Sequence, residues 1–205
     1  NSAGNSGSSA WKYLIAPADG DSVLAIGAVN VNGQIAGFSS YGPSADGRVK
    51  PDIASVGWNT VTTNTSGNAV QGSGTSFSNP NIAGLLTCLW HAFPEFNNME
   101  IIYAVKKNSS RFSNPDDRTG YGIPNMKAAY DYLFKERQIR QATNVLGENY
   151  IKVYPIPFRN QFSVLYKSAG AGKLSMELID ASGRIIHTQS RAVGANEINF
   201  IDFAQ

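Results

Sequence analysis

Gly74-Thr75-Ser76-Phe77-Ser78-Asn79-Pro80 is the stretch on which the reading of this chain turns. A glycine-rich loop here runs into a segment whose apolar residues Ile82, Leu85, Leu86, Leu89, Trp90 and Phe93 recur at helical spacing. That pattern predicts a helix from Ser76 to about Phe93. Ala83 and Gly84 leave it little polar face, so it is expected to be buried on most sides and to cross a core. Ser76 then stands at the helix start, where free N–H groups and the positive end of the helix dipole favour negative charge beside its hydroxyl. Such a place suits acyl transfer, although an isolated serine there is most often only an N-cap. Pro80 reads as a first-turn residue whose missing N–H costs no helical bond.

Working outward, Val23 to Val31 is a run of small and β-branched residues that reads as a buried strand of a parallel sheet. A Gly-, Ser- and Pro-rich stretch from Gly37 to Pro51 follows, then a second short strand around Pro51 to Val56. Asn97 and Glu100 have the spacing of a capping box for a helix from Asn98 to Lys107, and its two closing lysines suit the C-terminal end. A further helix is predicted from Met126 to about Gln141. Beyond Asn144 the period changes to two. Leu174, Met176 and Leu178 alternate with polar residues, Asp180 to Gly183 reads as a hairpin turn, and Tyr154 to Pro157 favours an edge segment.

Composition narrows the function classes. The 205 residues are 42% hydrophobic and 16% charged, with 17 Lys plus Arg against 15 Asp plus Glu, a formal net charge of +2. So small a surplus offers no broad footprint for a polyanion, and nucleic acid is not an expected partner. No apolar run reaches the roughly eighteen residues that span a bilayer. With Cys88 as the single cysteine, neither an intrachain disulfide nor a cysteine-based metal site can form.

Several ordered segments together carry a resemblance. Ser2-Ala3-Gly4-Asn5, Ala25 to Val29, Phe38 to Pro43, Asp46 to Asp52, the Gly74 to Pro80 stretch with Ala83-Gly84, and Gly120 to Asn125 with Ala128 and Ala129 follow one another as in the subtilisin-like serine proteases, the subtilases. The resemblance covers roughly residues 1 to 134. It implies an α/β fold, a three-layer parallel-sheet domain of which this chain is the C-terminal portion. It implies Ser76 as nucleophile, Asn5 as side-chain donor of the oxyanion hole, and Ser2, Ala3 and Gly4 as part of the substrate pocket wall. Family order is Asp, His, Ser, so the triad His and Asp are expected upstream of Asn5, in a part of the protease outside this chain. His91 cannot replace them: fifteen helical residues at about 1.5 Å each set it roughly 22 Å from Ser76. His187 reads as a surface residue, and Asp19, Asp21 and Asp52 as loop and cap residues. Asn81 departs from the histidine common at this position in the family.

The resemblance implies peptide-bond hydrolysis with a peptide or protein substrate and no cofactor in catalysis. It also implies that carbonyls of the Pro17 to Val23 stretch can hold a structural calcium ion, though oxygen-only sites leave too weak a signature for ligands to be named. The chain alone is expected to be inactive without its upstream half. The reading from another class is a catalytically inactive subtilase-like protein acting as a surface binding or assembly component.

Val153 to Phe158, Met176 to Ile186 and Gly194 to Phe200 form a second set, similar to the C-terminal sorting domain of proteins exported by the type IX secretion system. This implies secretion machinery as a partner and a secreted or cell-surface location outside a bacterium. The expected organisation is a catalytic portion over 1–137, a linker over 138–149, and an incomplete small all-β sandwich module over 150–205.

Overall fold

The computed structural model describes residues 1–146, 151–154, 161–195 and 198–204. They form two compact units, Asn1–Phe134 and Lys135–Gln205. In the first unit, β1 (Ile26–Val29) is buried along its whole length and pairs in parallel with β2 (Ile53–Val56), Ile26 opposite Ile53 and Val29 opposite Val56. Ser2 adds a parallel bridge to Ile26 on the other side, with Ala3 N donating to Ile26 O at 3.0 Å. The predicted strands are thus present but shorter than the apolar runs, because Asn30 to Gln34 close a turn and leave Val31 79% exposed.

The sheets are small, and helices supply much of the core. Leu24, Ile26 and Ile53 meet Ile82 and Leu89 of α1 (Thr75–Ala92), Ile101, Ala104 and Val105 of α2 (Asn98–Lys107), and Ala129 and Leu133 of α3 (Met126–Leu146). The segment Gly120–Gly122 runs beside β2: Tyr121 N donates to Asp52 O at 2.8 Å and Ala54 N to Gly122 O at 3.0 Å. Only glycine fits at 120, where φ is +62° and a Cβ would lie 1.9 Å from Pro51 O. An antiparallel hairpin, β3 (Thr60–Thr63) with β4 (Ala69–Gly72), leads into α1. The sequence reading had no element there, since Thr-, Asn- and Gly-rich strands lack an apolar face.

Two expectations about α1 are corrected. The helix buries one stripe, Thr75, Ser78, Ile82 and Leu89, against β1 and β2, while Leu85 and Trp90 are each 45% exposed. A Cβ added at Gly84 would meet nothing within 4 Å among the described residues. An all-round apolar composition therefore does not produce all-round burial here, because packed elements lie on only one side. Pro80 is the sixth helical residue, not a first-turn one, since the helix starts at Thr75. It therefore offers no N–H to the Ser76 carbonyl four residues earlier.

In the second unit β5 (Ile151–Tyr154), β6 (Gln161–Lys167) and β9 (Ile198–Ala204) form an antiparallel sheet in that order, with β5 at the edge. β7 (Gly172–Ile179) and β8 (Ile185–Val193) form a hairpin. The alternation of Leu174, Met176 and Leu178 does what its period requires: these three pack on Phe162, Val164 and Ile201 of the other sheet. At the turn, Asp180 Oδ1 accepts from Ser182 N, Ser182 Oγ and Arg184 N at 2.9, 2.6 and 3.0 Å, and Gly183 takes φ +85°. The stretch 138–149, expected as a linker, is helical as far as Leu146. Residues 147–149, and Pro155 to Pro157 of the expected edge segment, lie outside the described residues.

Candidate active site

Segments about seventy residues apart meet at the start of α1. Gly74 is the N-cap residue but has no side chain to cap with, so the first helical N–H groups need partners from elsewhere. Asn5 supplies one. Its Oδ1 accepts from Thr75 N at 2.9 Å and from Thr75 Oγ1 at 3.0 Å. With its oxygen held twice, the Asn5 amide turns Nδ2 toward the Gly74 side, where a Cβ on Gly74 would lie 3.5 Å from it. Among the described residues no protein acceptor takes that Nδ2.

Ser76 is the second residue of the helix, exposed, and not a cap. Its hydroxyl and its N–H have no hydrogen-bond partner among the described residues. The corner thus presents a serine hydroxyl and two donors, Ser76 N–H and Asn5 Nδ2, at the positive end of an 18-residue helix. Chemically, such a group can stabilise an oxyanion that forms beside the serine oxygen.

Thr75 organises this corner and was missed by the sequence reading, although it sits inside the quoted motif. Besides its two bonds to Asn5, its Oγ1 accepts from Gly4 N at 3.2 Å and its carbonyl accepts from Ser2 Oγ at 3.1 Å and Ser78 Oγ at 3.0 Å. Of the expected pocket-wall residues, Ser2 and Gly4 therefore lie directly on the Gly74–Ser76 corner. Gly4, at φ +106°, also accepts from Ser40 N at 2.9 Å. Ala3 is 1% exposed and contributes no open surface. Asn81, the departure from the family pattern, donates from Nδ2 to Val56 O at 3.2 Å and so ties α1 to the end of β2.

His91 is far from this corner, in the last turn of α1. His187 belongs to the second unit, on β8 against the edge of the Phe203 ring at 5.4 Å. Asp52, expected as a loop or cap residue, lies in the bend before β2 and is also buried: its Oδ2 accepts from Ala25 N at 2.8 Å and Lys50 Nζ at 2.7 Å, and its Oδ1 from Lys106 Nζ at 2.9 Å. Only Lys50 is near it in sequence. Lys106 arrives from α2, 54 residues on, which no local pattern reveals.

The Pro17–Val23 stretch is the segment whose carbonyls were expected to be open to a cation. No group of three or more His, Cys, Asp or Glu side chains able to hold a metal occurs among the described residues. Three of the stretch's carbonyls are engaged within the protein. Pro17 O accepts from Gly20 N at 3.1 Å, Asp19 O from Arg48 Nη2 at 2.9 Å, and Val23 O from Lys50 Nζ at 2.6 Å. Two positively charged side chains already donate to this loop, an arrangement that does not fit a bound cation. No described helix is long and apolar enough to cross a membrane.

Comparison with known proteins bears on the same region. The chain is 34% identical over 130 residues to the thermophilic serine proteinase of Bacillus sp. (strain AK1), covering 63% of this chain and 30% of that protein. It is 33% identical over 113 residues to the thermostable alkaline protease of Halalkalibacterium halodurans, 55% of this chain and 29% of that one. Subtilisin DY of Bacillus licheniformis is 32% identical over 130 residues, covering 62% and 44%. The chain therefore spans less than half the length of these relatives. Among solved structures, the self-cleaved protease domain of PatA superposes with a TM-score of 0.54 at 23% identity, over 65% of this chain and 49% of that one, a likeness of fold. Residues 1–122, which contain Asn5, Thr75 and Ser76 and reach the Gly120–Gly122 segment, match the model of the subtilase family, to which this chain belongs.

Proposed function

We propose that this chain carries the nucleophile and oxyanion donors of a serine endopeptidase that hydrolyses peptide bonds through an acyl-enzyme on Ser76. The observation that carries the reading is the Thr75–Asn5 pairing, which holds one amide oxygen and leaves Nδ2 turned to the corner where the Ser76 hydroxyl stands. In this reading Ser76 Oγ attacks the scissile carbonyl carbon while its proton passes to a histidine. The carbonyl oxygen becomes an oxyanion facing Asn5 Nδ2 and Ser76 N–H. The intermediate collapses with protonation of the leaving amine, giving an ester on Oγ that water then cleaves. Ser2 and Gly4 line the path of the substrate.

The triad histidine and aspartate come from an upstream part of the same protease, which also covers exposed apolar residues of α1. The exposure of Leu85 and Trp90, one on each flank of the buried Ile82 and Leu89 stripe, supports this. Without that part the chain is inactive. The second unit acts as a type IX sorting module and the protein is exported from a bacterium; deletion of 150–205 then retains the protease inside the cell.

The test is mass spectrometry after exposure of the full-length protein to a fluorophosphonate probe. An adduct on Ser76, absent from Ser76→Ala, is the expected result. An unlabelled Ser76 in an intact full-length sample overturns the reading.

A further inference from the structure

We propose that Lys50 is a built-in cation for the Pro17–Val23 loop: its ammonium stands where a metal ion would be coordinated, so this loop keeps its shape without calcium. Lys50 is 2% exposed, among the largest fully buried side chains. A buried ammonium persists only where oxygens replace its hydration shell. Here Val23 O lies at 2.6 Å and Asp52 Oδ2 at 2.7 Å. A loop carbonyl and a carboxylate are the donors that a hard cation takes, and the ammonium already holds both.

The charge balance points the same way. Asp52 also binds Lys106 Nζ at 2.9 Å, so one carboxylate faces two ammonium groups and the cluster carries a surplus positive charge. A divalent ion added there would meet two like charges close by. The same extended segment supplies a second clamp two residues earlier: Arg48 donates through Nη2 to Asp19 O at 2.9 Å and approaches Asp21 at 3.5 Å. Asp52 Oδ2 closes the arrangement by accepting from Ala25 N just beyond the loop, at the entrance to β1. The loop is therefore fastened at Asp19, at Val23 and at Ala25 by groups of the 48–52 segment.

The experiment is hydrogen exchange with mass spectrometry on the full-length protein, read on peptides covering residues 16–27, in calcium and in chelator. The expected result is that wild-type exchange in this loop is the same in both. In Lys50→Met it accelerates by about tenfold or more, and calcium does not restore it. Loop exchange that accelerates in wild type on chelation overturns the proposal, as does Lys50→Met exchanging at the wild-type rate. Should Lys50→Met not fold, the wild-type comparison still decides, because it reads this loop and not the stability of the whole protein.

Discussion

Helices α1 and α2 begin in opposite ways. At α2 the cap is local: Asn97 Oδ1 accepts from Glu100 N at 3.0 Å and Glu100 Oε2 accepts from Asn97 N at 2.8 Å, so both partners sit within one turn. At α1 the cap residue is Gly74, and the oxygen that takes the first N–H belongs to Asn5, 70 residues away. A self-capped start uses its exposed donors on itself. A start capped from a distance keeps Ser76 N–H free and fixes a second donor, Asn5 Nδ2, beside it. The difference separates a helix end whose donors are spent on its own cap from one that leaves two donors beside a serine hydroxyl.

Substitutions at the two starts should separate these roles. Asn5→Ala in the full-length protein removes both the far cap and the proposed oxyanion donor. A fall in kcat of about a hundredfold to a thousandfold with little change in KM is expected in steady-state peptide hydrolysis, a size taken from the side-chain donor of subtilisin, a family relative. An unchanged kcat would put the two helix starts in the same class. Thr75→Val keeps its N–H bond to Asn5 Oδ1 but loses the hydroxyl that also binds Asn5 and Gly4. The loosened amide should lower kcat by about tenfold, less than loss of Asn5 itself.

Asn97→Ala breaks the local cap and should cost about 1 kcal/mol in denaturant unfolding while kcat/KM stays at the wild-type value. The smallest effect concerns another local device. Asp46 is held down to about 2 by the hydroxyl of Ser44 at 2.6 Å and then by Arg48 Nε at 2.7 Å. Its carboxylate is thus favoured in the fold, so its contribution is complete above the ordinary carboxylate range near 4 and is lost as pH falls through about 2. An NMR titration of the Asp46 carboxyl carbon should show this depressed midpoint, and Ser44→Ala should raise it.

Legibility followed sequence distance. The Asn97 and Glu100 pair lies three residues apart, and its helix has the predicted bounds. The Asp180 to Gly183 turn and the alternation on β7 were also readable, because their partners are near or their period is fixed by the pleat. Ser76 and Asn5 were named through resemblance, whereas Thr75 went unnoticed because each of its bonds to the Asn5 segment spans about seventy residues. The ion pairs of Asp52 went unread for the same reason: its second cation comes from α2. The burial of α1 was overestimated, since apolar composition says that a helix can be covered but not what covers it.

From the amino-acid order alone came the kinds of element, their local caps and turns, and the family motifs with Ser76 at a helix start. Those features depend on contacts within a turn or on a repeating period. Only the tertiary structure decided that Asn5 caps α1, that Lys50 is enclosed by Val23 O and Asp52, and that one face of α1 carries the core contacts. Each of these joins groups tens of residues apart. Chain closure over such distances is settled by the packing of the whole unit, and no short stretch of sequence encodes it.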